Sequence, residues 1–196
     1  MLNFTGANIL KKAKMLVFLS LILFSCSTKD DMKKKIARMI EKPVLIDVEH
    51  MLFCRLDSGS YLNYTKKRLF SFVIYTDSTQ CSPCFIKGLT EWNDILRLEN
   101  SNEHDIQFFF IIEPRKNDTG LLLKKIKQSG FKHSVLVDNK SLFLKANPQI
   151  PKEAIYHTFL LDKNNNIILV GNPLINEDVK KLLYRRLNDQ KVDERR

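Results

Sequence analysis

Phe70-Ser71-Phe72-Val73-Ile74-Tyr75-Thr76-Asp77-Ser78-Thr79-Gln80-Cys81-Ser82-Pro83-Cys84 is the stretch that decides the fold. Phe70–Tyr75 reads as a buried strand, and Thr76–Gln80 as a polar turn. The C-x-x-C pair Cys81/Cys84 follows the turn and opens an amphipathic run. Strand, turn, paired cysteines and helix is the usual presentation of a redox-active dithiol. Unpaired N–H groups at a helix start favour thiolate at the first cysteine, here Cys81. Cys84 would sit one turn inside, within reach of a disulfide. Pro83 suits a first helical turn, where its missing N–H costs little.

Downstream, Phe85, Leu89, Trp92 and Leu96 recur at helical spacing and predict one helix with Trp92 in the core. Ile106–Ile112 is almost wholly apolar, as in a strand covered on both faces. Asp118 is the expected cap of a helix over Thr119–Ser129 that Gly130 closes. Ser134–Val137 is a fourth core strand. Thr158–Asp162 and Ile167–Val170 flank an Asn-rich turn and predict a hairpin. Asn176 is the expected cap of a last helix with Val179, Leu182, Leu183 and Leu187 inward. The crossover from Phe70–Tyr75 to Ile106–Ile112 predicts a parallel pair.

The strand running into Cys81-Ser82-Pro83-Cys84, together with Thr158-Phe159-Leu160-Leu161-Asp162-Lys163-Asn164-Asn165-Asn166-Ile167-Ile168-Leu169-Val170-Gly171, resembles the thioredoxin superfamily. It is most similar to the membrane-tethered TlpA/ResA-like bacterial branch, over roughly residues 43–190. The resemblance implies an α/β fold: a thioredoxin-like mixed central sheet with helices on both faces and an added N-terminal strand or hairpin. Val44–Val48 and Met51–Leu56 are the candidate hairpin strands, and Asp57–Ser60 a turn. The implied activity is thiol–disulfide exchange by Cys81 and Cys84, with no cofactor beyond that pair. The implied partners are protein thiols or disulfides, or another thioredoxin-like reductant.

Two positions depart from the family pattern. The residue before the Thr158 strand is a cis-proline in the superfamily, where it shapes the substrate groove. Here it is His157, flanked by Tyr156 and Thr158, and a trans peptide is expected because a non-proline cis bond costs about 3 kcal/mol. A glutamate often follows the second cysteine in TlpA/ResA-like proteins; here Lys87 stands three residues after Cys84. The nearest acid is Asp77, so proton handling at the dithiol is left without an assigned residue.

Lys11, Lys12 and Lys14 precede a short apolar run, Met15–Phe24, ending in Leu23-Phe24-Ser25-Cys26. The run is too short for a comfortable span and reads as a processing signal with a lipobox. Cys26 is then the lipidation site of an envelope lipoprotein of a bacterium, anchored in a membrane, with the outer membrane expected. The divisions are a signal peptide over 1–25, a charged tether over 26–42, a thioredoxin-like domain over 43–190 and a charged tail over 191–196. The net charge is +10, and removing the first 25 residues leaves +7, because they hold three lysines and no acid. With no phosphate loop or nucleic-acid motif, nucleic acid is not an expected partner.

With Cys26 lipidated and Cys81 and Cys84 paired, Cys54 is left as a buried strand residue. Two rivals stand beside the enzyme reading. Cys81, Cys84 and His157 would make a three-ligand set for a copper or zinc carrier. A non-catalytic binding module on the same fold is the other. A structural zinc site is not expected, since only one C-x-x-C is present. His50, His104 and His133 show no ligand spacing.

Overall fold

The seven residues Phe70–Thr76 alternate across a sheet yet are buried throughout, so both faces of this strand are covered. A computed structural model describes residues 29–54, 68–80, 82–100, 104–116 and 118–193, leaving aside the side chains of 82–84, 100 and 190–193. Calls on residues 1–28, 55–67 and 194–196, on Cys26 and Cys81, and on the Asp57–Ser60 turn lie outside the described residues. The chain divides into two units, residues 1–38 and 39–196. In the first, residues 29–38 belong to a helix, α1 (29–39), on which Asp31 and Lys35 pair at 2.8 Å.

In the second unit, six strands form one mixed sheet: β1 (Leu52–Cys54), β2 (Phe70–Thr76), β3 (Ile106–Ile112), β4 (Val135–Val137), β5 (Thr158–Leu161) and β6 (Ile167–Val170). Their order is β1-β4-β3-β2-β5-β6. β2 pairs parallel with β3, and β3 with β4; β5 joins β2 antiparallel, and β6 and β1 complete the two antiparallel edges. The helices are α2 (Ser82–Gly88), α3 (Arg97–Asn100), α4 (Thr119–Gln128), α5 (Phe143–Ala146) and α6 (Glu177–Asp193).

Register divides the sheet into two faces. Phe70, Phe72 and Ile74 lie opposite Ile106, Phe108 and Phe110, and all six join one buried cluster. Ile86, Leu89 and Trp92 after the dithiol, Leu122 and Ile126 of α4, and Leu183 and Leu187 of α6 belong to the same cluster. The other face carries Ser71, Val73 and Tyr75, and here the Tyr75 ring meets Phe143 of α5 at 4.8 Å. This is the expected α/β fold, a mixed thioredoxin-like central sheet with helices on both faces.

Three expectations need correction. Val44–Val48 is not a strand. The Val44 N–H goes to Asn165 O (2.8 Å), and Leu45 exchanges two 2.8 Å bonds with the side chain of buried Asn147. Bonds already spent on a side chain and a loop leave nothing for a ladder. The N-terminal addition is therefore one described edge strand, β1, rather than a described hairpin.

The helix after Cys84 is not continuous: α2 gives way to a 3-10 segment, Leu89–Asn93, before α3. Gly88, Thr90 and Asn93 are weak helix formers. The tighter winding stacks Leu89 directly under Trp92, and both are buried. Trp92 packs on Phe72 and Phe110 at 5.9 and 5.7 Å.

Asp118 precedes α4 but makes no side-chain cap bond; its carbonyl accepts from Leu122 N–H. Asn176 does cap α6, accepting from the N–H groups of Asp178 and Val179 at 2.9 and 3.1 Å. Gly171, after β6, has φ of 133°, and a Cβ there would stand 2.8 Å from Val179 Cγ2. That position takes only glycine, on both backbone and packing grounds.

Candidate active site

Between the end of β2 at Thr76 and the start of α2 at Ser82 lies the turn that carries Cys81. Asp77 organises it. One carboxylate oxygen, Oδ1, accepts from Thr79 N–H (2.8 Å), Thr79 Oγ1 (2.6 Å) and Gln80 N–H (3.2 Å). Ser78 Oγ donates to Glu113 Oε1 at 3.0 Å, and Arg115 Nε donates to Ser78 O at 3.3 Å. Cys84 is the third residue of α2 by backbone.

Glu113, immediately past β3, is a hub. Besides Ser78 it accepts from Tyr75 OH at Oε2 (2.5 Å) and from Ser141 Oγ at Oε1 (2.8 Å). Ser141 adopts φ of 54°, unusual for a non-glycine residue, and its hydroxyl reaches Glu113 from there. Burial, then the Glu113 carboxylate, pushes the Tyr75 phenol well up, so it stays protonated and donating. Ser78 also lines a cleft of about 530 Å³ with Glu113, Arg115, Lys116, Lys140 and Ser141.

His157 sits at the root of the same turn. Its carbonyl accepts from Tyr75 N–H at 2.9 Å, one step beyond the Ile74–Thr158 pairing. The peptide bond before it is trans, as expected. Alternation puts Thr158 on the Ile74 face and His157 on the Tyr75 face, where the two rings meet edge-on at 5.0 Å. The imidazole is 1% exposed. Nε2 lies 2.9 Å from Pro151 O, and Nδ1 lies 3.4 Å from Gln80 Nε2 and 3.8 Å from Asp77 Oδ2.

The three residues expected at the substrate groove, Tyr156, His157 and Thr158, are all buried, and Thr158 lines a groove that Tyr156 and His157 do not. The groove, about 460 Å³, runs beside α2 between Phe85, Trp92, Leu174, Ile155 and Ile175. Ile155 and Ile175 are 63% and 84% exposed, an apolar rim that water does not favour.

Among the described residues no group of three metal-ligating side chains gathers. The set Cys81, Cys84 and His157 falls partly outside them. A metal at His157 would have to displace Gln80 or Pro151 from the ring. Cys54 is buried on β1, and burial raises its thiol pKa, which keeps it protonated and unreactive. His133 is buried against Glu99, and exposed His50 pairs with Asp47.

Burial holds the His157 imidazole below its ordinary value of 6.5, against the smaller raising influences of Pro151, Asp77 and Glu153. Above 6.5 the folded and unfolded chains both carry the ring neutral, and the group contributes nothing to pH dependence. Below it the unfolded chain binds a proton that the folded chain refuses. Stability then falls by up to about 1.4 kcal/mol per pH unit until the folded value is reached. Urea unfolding of wild type and His157→Gln at about pH 7.5 and about pH 5 should show a smaller acid loss in the variant. Equal losses would mean the ring is not held neutral.

No protein-family model matches this chain, and no curated protein does either. Solved structures similar to it include a domain of a possible thiol-disulfide isomerase from Cytophaga hutchinsonii, 20% identical, TM-score 0.42, covering 72% of this chain and 90% of that one. Another is the thioredoxin domain of a thiol-disulfide oxidoreductase from Bacteroides vulgatus, 15% identical, TM-score 0.45, covering 70% and 93%. A thioredoxin-like protein from Bacteroides caccae is 16% identical, TM-score 0.46, with 80% and 54% covered. These are distant likenesses, and the assignment of the fold rests on the strand order and pairing described above.

Proposed function

We propose that the chain is a thiol–disulfide oxidoreductase that works through Cys81 and Cys84. The observation that carries this reading is the junction itself: β2 ends at Thr76, a turn fixed by Asp77 and Glu113 follows, and α2 starts at Ser82. A C-x-x-C pair spanning such a junction would bring its first cysteine to the unpaired N–H groups of a helix start, which supports the reading. The apolar groove beside α2 supplies room for an extended peptide carrying the partner thiol or disulfide.

Mass spectrometry with and without reductant is the test. The Cys81–Cys84 peptide is expected to gain the mass of two hydrogens in millimolar dithiothreitol at neutral pH. A pair that stays oxidised there is an inert bridge, and the catalytic reading fails.

The reading extends to an anchor in a bacterial envelope membrane. Leu23-Phe24-Ser25-Cys26 supports lipid on Cys26, with the first 25 residues removed. Wild type is then expected in the detergent phase on phase separation, and Cys26→Ala in the aqueous phase. Processed wild type found in the aqueous phase would exclude the lipid.

A further inference from the structure

Two helices of this chain lace their cations with acids. Asp31 and Lys35 pair on α1, and Lys180 and Lys181 pair with Glu177 and Asp178 on α6. α4 does not. From Thr119 to Lys132 the sequence holds no acid. The ion pairs among the described residues include none of Lys124, Lys125, Lys127 and Lys132. With Arg115 and Lys116 just before the helix, residues 114–132 carry six cations against one acid, Asp118, a net +5 of the chain's +10.

Helix stability does not explain these charges. Cations favour the last turn of a helix, which accounts for Lys125 and Lys127. Arg115 and Lys116 precede the first turn, the positive end, where a cation is disfavoured. Lys124 and Lys127, three residues apart, repel each other across the helix surface.

Leu122 and Ile126 are spent on the core, so α4 is packed on the sheet and offers only its outer side. There Leu121 is 50% exposed, and Lys124 and Lys127 are exposed with it. Helical spacing sets Leu121 beside Lys124 and Lys125. At the start of the helix, Thr119 lines the cleft of about 530 Å³ whose cations are Arg115, Lys116 and Lys140. Glu113 is the acid on its wall, and the hydroxyls of Tyr75, Ser78 and Ser141 already occupy its oxygens. The positive surface therefore continues from the cleft along α4.

A lysine field around a half-exposed leucine fits a surface that is negative outside and apolar just beneath, as an anionic bilayer is. Nucleic acid offers the charge without the apolar layer. The N-terminal motif supplies the nearness: the stretch from Cys26 to Met39, where the second unit begins, cannot span more than about 45 Å. We propose that α4 and the cleft at its start are a docking face for an anionic phospholipid bilayer. Its cations meet headgroup phosphates, and Leu121 enters below them. The inference rests on the anchor reading above for the nearness of the bilayer, and on no cysteine of the dithiol. No residue of this face lines the groove beside α2, so docking leaves that groove open.

Lysine footprinting of the full-length chain added to preformed vesicles tests this. An amine-acetylating reagent and mass spectrometry give the rate at each lysine. Vesicles of phosphatidylcholine with phosphatidylglycerol, compared with phosphatidylcholine alone, are expected to slow Lys124, Lys125 and Lys127 about tenfold at low salt, and about 1 M salt to abolish the difference. Exposed Lys152 and Lys163 should react alike in both. Each cation near such a surface is worth about fivefold in binding, so Lys124→Gln/Lys125→Gln/Lys127→Gln should weaken docking about a hundredfold. That variant should also lose the protection of Lys116 and Lys140 while its urea midpoint stays near wild type. Equal rates in the two vesicles, protection that survives salt, or a triple variant protected like wild type overturns the proposal. Protection that appears with a cell extract and with neither vesicle assigns the face to an acidic protein and overturns it too. Failure of the anchor reads separately: the chain then stays out of phosphatidylcholine vesicles on sedimentation, while a correct docking face still carries it down with phosphatidylglycerol at low salt. Sedimentation with neither removes both.

Discussion

Cys84→Ser is expected to accumulate covalent complexes with partner proteins, and Cys81→Ser to accumulate none. The difference comes from position. Cys81 immediately precedes α2, while Cys84 is its third residue. N–H groups at a helix start stabilise a thiolate there, so on the proposed reading Cys81 would be the attacking sulfur. With serine at 84 the mixed disulfide on Cys81 has no resolving thiol and persists until an external thiol arrives. With serine at 81 the attack does not begin. Turnover is abolished in both variants, so only trapping separates them. Non-reducing electrophoresis of whole-cell extracts reads it directly, with bands that vanish on adding reductant. Equal trapping by both variants would reverse the assigned roles. Cys54 would not substitute for either, because it is buried on β1 with its thiol kept protonated.

The central strands were legible because burial on both faces writes itself as an unbroken apolar run. Ile106–Ile112 needs no periodicity to be read, and its bounds in the sheet are the same. Phe70–Tyr75 extends by one residue, to Thr76. Where tertiary partners decide, the sequence was mute. Val44–Val48 looks like a strand, but Asn147, about a hundred residues on, captures its backbone. Phe85, Leu89, Trp92 and Leu96 do share the core side, yet the winding changes midway because Leu89 and Trp92 must stack against Phe72 and Phe110.

The site follows the same division. The dithiol motif and the odd residue His157 are visible as letters. Glu113 is not, because its role comes from three hydroxyls that the sheet brings together from Tyr75, Ser78 and Ser141. The one available signal was an acid directly after an apolar strand, at the carboxyl end where α/β sheets place their chemistry. Asp77 is legible as the acid nearest the dithiol, but its approach to His157 depends on the antiparallel register of β5 on β2.

Loss of His133 is expected to cost more folding stability than loss of its partner's charge. His133 Nδ1 lies 2.8 Å from Ser134 O, which only accepts, so Nδ1 carries a hydrogen. Nε2 lies 3.0 Å from Glu99 Oε2, and Glu99 Oε1 accepts from Phe108 N–H at 3.1 Å. One proton therefore sits between imidazole and carboxylate, with side chains 6% and 8% exposed. The pair ties α3 to β3 and to the start of β4, and the imidazole fills space against Phe110 and Phe131, with ring centres at 5.3 and 6.2 Å. His133→Ala strands the Glu99 carboxylate and opens a void among the aromatics. Breaking a buried pair from one side costs about 3–5 kcal/mol, a large share of the roughly 5–15 kcal/mol that holds a domain together. Glu99→Gln keeps an oxygen for Phe108 N–H and an amide that can donate to Nε2. Its cost is that of a weakened hydrogen bond, about 1 kcal/mol. In the His133→Ala background, Glu99→Gln should recover stability, because it removes the stranded charge. Urea midpoints at constant slope measure all four chains. A His133→Ala loss no greater than that of Glu99→Gln, or no recovery in the double variant, would mean that the pair fills space and carries no charge. The recovery is the sharper criterion: a void penalty is indifferent to what stands at position 99, and a stranded carboxylate is not.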